Sequence, residues 1–273
     1  MTGGWCEVGG VALRYRCDGS DGPFLILIHE MGGMIESWDR VVPLLQDRFR
    51  IFRFDMRGAG MSEKVREGIR VDQLADDLAA LLDTVGVTER AVVAGCAVGA
   101  AVALSFVTRH PERSAGLVLM NPALSVTPEN LPALRARAEH LRQAGTHGIV
   151  EESLASGYPE SFRAVDAAYF EMFRARWLAN DPESLRAHFL MLAGMDLRGD
   201  VPKVACPILG ISGRLDPLRP TSYVRELLDL ATNARLVVIE AGHHMPDQAP
   251  DAVAQELAAF VTHVMGSRAG EAA

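Results

Sequence analysis

The sequence predicts an α/β architecture: a mainly parallel sheet flanked by helices, with a helical cap inserted between two of its strands. Three observations carry that prediction. Short continuous apolar runs at 24–29 (FLILIH), 91–94 (AVVA), 115–120 (AGLVLM) and 207–212 (PILGIS) read as strands covered on both faces, because a strand with one wet face would alternate. Segments with helical spacing separate these runs. From residue 122 to about 200 the strand runs stop, and only helical patterns follow.

The elements follow in order. Residues 5–17 alternate around Gly9-Gly10, the pattern of a β-hairpin. Residues 37–45 fit a helix and 49–54 a strand, whose exit DMRGAGMSE is glycine-rich and turn-like. A helix is predicted at 71–85 from Leu74, Leu78, Leu81 and Leu82, with Asp72 placed to cap it. Amphipathic helices are expected at 131–143, 148–155, 166–178 and 182–193, a strand at 235–240 and a closing helix at 250–264. The domain reading is a core of 1–121 with 201–265, a cap of 122–200, and a disordered tail at 266–273.

Composition excludes several function classes. A net charge of -8 argues against nucleic acid or an anionic membrane as partner. No run approaches the roughly 18 apolar residues of a membrane span, and MTGGWCEVGG lacks the basic and apolar regions of a secretory signal. Cys6, Cys17, Cys96 and Cys206 are scattered, which indicates neither a zinc site nor a disulfide framework. The expectation is a cytoplasmic monomer or homodimer acting on a small molecule, with no cofactor and no metal.

The stretch from Arg90 to Leu104 organises the rest. An apolar strand ends at Gly95, and Gly99 opens an alanine- and valine-rich helix. Strand, sharp turn and helix, with glycines two residues either side of the apex, is the layout of the G-x-S-x-G nucleophile elbow. The apex here is Ala97, whose methyl group cannot attack anything.

The order of motifs resembles the α/β-hydrolase fold over nearly the whole chain. The loop HEMGG stands where that superfamily has its oxyanion loop, DMRGAGMSE is similar to its D-x-R-G-x-G-x-S segment, and GCAVG to its elbow. Gly213-Arg214-Leu215-Asp216 follows a strand as the family's acid does, and Glu240-Ala241-Gly242-His243 follows the last strand as its histidine does. The cap segments 133–163 and 179–209 resemble the 3-oxoadipate enol-lactonase-like group. That resemblance implies Asp216 and His243 as carboxylate and imidazole of a triad, residue 97 as the nucleophile position, and the backbone amides of Met31 and Val98 as oxyanion donors. It implies as substrate a lactone, ester or amide of a small organic acid.

Each assignment has a plainer rival. His244 adjoins His243, and either could be an ordinary loop histidine; Asp216 precedes Pro217 and could be a turn residue. Asp55 is read as stabilising its loop, and Cys96 as a small buried hydrophobe. Methionines 31, 34, 172, 191, 195 and 245 are candidates for an apolar pocket, with Met34 and Met245 preferred. Arginines 135, 137, 142, 163, 174, 176 and 186 are candidates for gripping a carboxylate, with Arg174 expected to face the pocket beside Trp177.

Two residues depart from the pattern: Ala97, and Glu30 where glycine is usual. Three explanations stay open. The alanine could be a deliberate replacement that holds substrate without turnover. It could belong to a natural enzyme, such as a decarboxylase or lyase, that works through His243 with Glu30 as a second acid/base group. Or the chain could be an inert relative that binds small molecules.

Overall fold

The computed structural model describes residues 2–66 and 68–269. The hairpin joins β1 (Thr2–Val8) to β2 (Val11–Asp18) with Val8 opposite Val11. Gly9 and Gly10 both have positive φ, 56° and 78°, the backbone a two-residue turn between twisted strands requires. β3 (Phe24–Ile28), β4 (Arg50–Phe54), β5 (Ala91–Cys96), β6 (Ser114–Met120), β7 (Ile208–Gly213) and β8 (Ala234–Ile239) complete one eight-stranded sheet. Its order is β1-β2-β4-β3-β5-β6-β7-β8, parallel from β4 onward.

β3, β5, β6 and β7 are buried at every position, which explains their unbroken apolar runs. Successive side chains alternate between two cores. Ile26, Ile28, Val93, Leu117 and Leu119 face the helices α1 (Val71–Thr84) and α2 (Val98–Arg109). Leu25, Leu27, Val92, Ala94 and Val118 face α10 (Pro250–Ala269).

Between β6 and β7 lie α3 (Leu131–Ala144), α4 (Val150–Gly157), α5 (Glu160–Val165), α6 (Ala167–Leu178) and α7 (Pro182–Gly194). They share a small core of their own, with Leu141, Leu154, Tyr158, Phe173 and Trp177 at its centre. α7 serves both bodies: Leu185 and Phe189 enter the cap core, whereas Ala187, Met191 and Leu192 enter the main one.

Several local expectations are corrected. Residues 37–45 hold two 3₁₀ turns, Ile35–Trp38 and Val42–Leu44, in place of a helix. Pro43 has no N–H to donate and its ring clashes with the preceding turn. Asp72 does not cap α1. The N-cap is Arg70, and Asp72 sits inside the first turn, where its charge favours the helix N-terminus. α5, α8 (Thr221–Leu228) and the short α9 (Met245–Gln248) were not expected, although Val224, Leu227 and Leu228 carry the spacing of one buried stripe. α10 continues through Ala269, into the stretch expected to be a disordered tail; residues 270–273 lie outside the described residues.

Candidate functional site

The elbow has the backbone its glycines foretold. Ala97 adopts φ 50°, ψ -112°, a strained conformation for a residue with a Cβ. Its surroundings over-determine it: its N–H donates to the Met120 carbonyl at 2.9 Å, and its own carbonyl accepts from Ala100 and Ala123. A Cβ on Gly95 would lie 2.1 Å from the Gly99 carbonyl, and a Cβ on Gly99 would lie 2.4 Å from the carbonyls of Ile28 and His29. Glycine at both places lets strand, helix and the β3 loop pack backbone to backbone.

That packing sets Val98, first residue of α2, beside the loop that carries Met31. Among the described residues, neither of these amides donates a hydrogen bond within the chain. Met31 also packs between the main core and the cap core.

Asp216 and His243 come from the loops after β7 and β8, neighbours in the sheet. His243 Nδ1 lies 2.7 Å from Asp216 Oδ2. A carboxylate can only accept, so Nδ1 carries the hydrogen and Nε2 is left as the basic nitrogen. The other oxygen of Asp216 accepts from the amides of Leu218 and Arg219 at 2.8 and 3.2 Å. Asp216 is therefore the turn residue and the partner of His243 at once. Burial pushes its carboxyl up, but the imidazole and these amides outweigh burial and hold it below its usual range.

Two residues missed in the sequence hold the histidine loop. Asn121, with φ 41°, donates to the Gly242 carbonyl at 2.9 Å and accepts from the Gly213 amide at 2.8 Å. Gln248 accepts from the Gly242 amide at 2.7 Å and donates to the Gly157 carbonyl at 3.0 Å; that same carbonyl takes the His243 amide. An asparagine just past a strand end is the one available signal, since asparagine tolerates positive φ. Gln248 leaves none.

His244 points elsewhere. Its ring packs against Tyr158 and Phe173, with Nδ1 3.7 Å from Glu30 Oε1. Glu30 is 2% exposed, accepts from Ser37 Oγ at 3.0 Å, and leaves Oε2 without a partner. Gly33 makes room for it, since a Cβ there would lie 2.5 Å from the carboxylate. Burial raises the Glu30 carboxyl, but the His244 imidazole outweighs burial and holds it well below the usual range. His29 is a neutral loop histidine: Nδ1 donates to the Glu30 carbonyl and Nε2 accepts from the Met56 amide. Asp55 ties its loop through the amides of Ile35 and Met61. Cys96 is fully buried beside the His243 carbonyl, and burial pushes its thiol far up, as suits a small hydrophobe.

The pocket residues divide. Met34 and Trp177 line a small cavity with Glu30, Ser37, Phe173 and Arg176. Arg174 does not face it, contrary to expectation. Its guanidinium pairs with Glu151 of α4 at 2.6 Å, because on α6 it flanks the buried stripe of Phe173 and Trp177 on the side that α4 packs against. Arg176 turns inward instead, donating to Asp247 Oδ1 at 2.6 Å and to the Glu36 carbonyl at 2.7 Å. Asp247 is fully buried, also accepts from the Tyr169 hydroxyl, and is raised to about 6 by burial despite Arg176, with Glu30's charge adding to the rise. Met245 is fully buried in the core cluster that also holds Cys96 and Ala97, and it is not among the residues that line this cavity. Met172 is 50% exposed, whereas Met191 and Met195, packed in and against the main core, line a separate cleft of about 490 Å³ between Ile69, Val71 and α7.

Comparison with known proteins agrees with this fold. The family model described as serine aminopeptidase, S33 matches residues 23–247. 3-Oxoadipate enol-lactonase 2 of Acinetobacter baylyi is 26% identical over 243 residues, covering 89% of this chain and 90% of that protein. The crystal structure of the enol-lactonase of Burkholderia xenovorans LB400 has a TM-score of 0.89 at 27% identity, covering 95% of this chain and 100% of that one. A thermophilic esterase of Thermogutta terrifontis, solved with malate bound, gives 0.89 at 28% identity, covering 97% and 99%. The chain belongs to the serine aminopeptidase S33 family, within the α/β-hydrolase superfamily.

Proposed function

We propose that this chain acts on the carbonyl of a lactone, ester or amide of a small organic acid, with His243 as general base. Asp216 fixes the tautomer, and the free amides of Met31 and Val98 take the charge that develops on the carbonyl oxygen. Residue 97 forms no acyl-enzyme. The base therefore works on water, or on a proton next to the carbonyl. The observation that carries this reading is the 2.7 Å contact of His243 with Asp216, built without a hydroxyl at the apex. The enol-lactonase and esterase relatives support the substrate class.

A second reading, decarboxylase or lyase chemistry, shares the imidazole and the amides and needs no nucleophile. It does not draw support from Glu30 as a proton donor, because that carboxyl is held ionised and faces His244, not His243. In either case the partner is a small molecule; among the described residues no helix is long and apolar enough to cross a membrane. Residues 122–200 act as the cap over this site, and 1–121 with 201–265 as its base.

The test compares the chain, Ala97→Ser and Ala97→Ser/His243→Ala on a nitrophenyl ester. Ala97→Ser should hydrolyse it through an acyl adduct visible by mass spectrometry, and should lose that activity with His243. Restoring a triad nucleophile is worth a factor on the order of 10⁶ at most. A well-folded Ala97→Ser protein that stays at the buffer rate ends the reading.

A further inference from the structure

We propose that the cavity lined by Glu30, Met34, Ser37, Phe173, Arg176 and Trp177 is a subsite for the donor head of the substrate, an ammonium or hydroxyl group received by Glu30 Oε2. The inference rests on the proposed function only for the position of the reacting carbonyl, beside Met31.

Four observations carry it. First, Oε2 of Glu30 has no hydrogen-bond partner although the residue is almost wholly buried. A buried ionised oxygen without a hydrogen-bond partner is costly, and a ligand donor removes that cost. Second, His244 approaches the other oxygen, with Nδ1 3.7 Å from Oε1, and the guanidinium that lines the cavity is already committed. Arg176 spends its guanidinium on Asp247, Tyr169 and the Glu36 carbonyl, so it does not offer the two-pronged grip a carboxylate needs.

Third, the other cap arginines are spent or turned outward. Arg137 pairs with Glu152, Arg142 with Glu139, Arg174 with Glu151 and Arg186 with Glu183; Arg163 binds backbone carbonyls, and Arg135 is exposed. Fourth, the cavity is about 10 Å³, room for a single water-sized group. An ammonium or hydroxyl fits that space, and a carboxylate does not. The rings of Phe173 and Trp177 in its wall suit the face of a cation.

The test uses the chain as it stands and reads binding by calorimetry, so it needs no turnover. Four amides of matched length are titrated: γ-aminobutyramide, γ-hydroxybutyramide, valeramide and succinamate. The ammonium and hydroxyl ligands should bind about tenfold or more tighter than valeramide, as expected for a hydrogen bond to a charged acceptor, and succinamate should be weakest. Glu30→Gln, which keeps the shape, should erase the ammonium preference, keep most of the hydroxyl preference and improve succinamate. Succinamate binding as well as the donors, a ranking untouched by Glu30→Gln, or no binding by any ligand at tens of millimolar overturns the proposal. These outcomes are independent of whether Ala97→Ser hydrolyses esters, so the subsite and the reaction fail or stand separately.

Discussion

Asn121 reaches from the end of β6 to the carbonyl of Gly242, 2.9 Å away and one residue before His243. The same amide group accepts from Gly213, at the end of β7. One side chain thus spans three neighbouring strand ends and sets how far apart the loops of Asp216 and His243 sit. Asn121→Ala strands a buried N–H and a buried carbonyl, which costs about 2–4 kcal/mol by denaturant unfolding. In the Ala97→Ser background it should also lower turnover more than binding. An unchanged unfolding midpoint would show that the bridge carries nothing.

Ala97 holds a left-handed φ with no hydroxyl to justify it. Alanine to glycine ordinarily costs about 1 kcal/mol through backbone entropy. Here relief of strain, about 1–3 kcal/mol, offsets that loss. Ala97→Gly should be neutral or stabilising in chemical denaturation. A clear loss of more than about 1 kcal/mol would mean that the elbow is unstrained.

Two arginines two positions apart on α6 give opposite predictions. Arg174 pairs with Glu151 in water, and Arg174→Ala should change stability by less than about 0.5 kcal/mol. Arg176 pairs with the fully buried Asp247. Arg176→Ala leaves that carboxylate without its cation and should cost about 3–5 kcal/mol. Equal effects in thermal or urea unfolding would contradict the inward turn of Arg176.

Asp247 gives the pH dependence. Its carboxyl is raised to about 6 in the fold, from about 3.9 in an unfolded chain. A raised acid binds its proton more tightly when folded. Its contribution is complete below the unfolded value and disappears as pH rises through about 6. The stability of the chain minus that of Asp247→Asn should therefore slope downward between about pH 4 and pH 6. A flat or rising difference in urea midpoints across that window would refute the assignment.

The sequence by itself determined the sheet and the elbow. Strands buried on both faces must be continuous apolar runs, and a backbone that packs against itself at Gly95 and Gly99 must be glycine. Both are local demands, written in consecutive residues. The family resemblance pointed to His243 and Asp216, while the residues by themselves left His244 and a plain turn as rivals. The tertiary structure alone decided which cap side chains face inward. Arg174 and Arg176 are the same residue type, and only the packing of α6 against the loops at Glu36 and Asp247 directs one to the exposed Glu151 and the other to the buried Asp247. Gln248 and Asp247 were illegible for the same reason. Their partners lie on strands and loops distant in sequence, and a hydrogen bond across that distance leaves no periodicity to read.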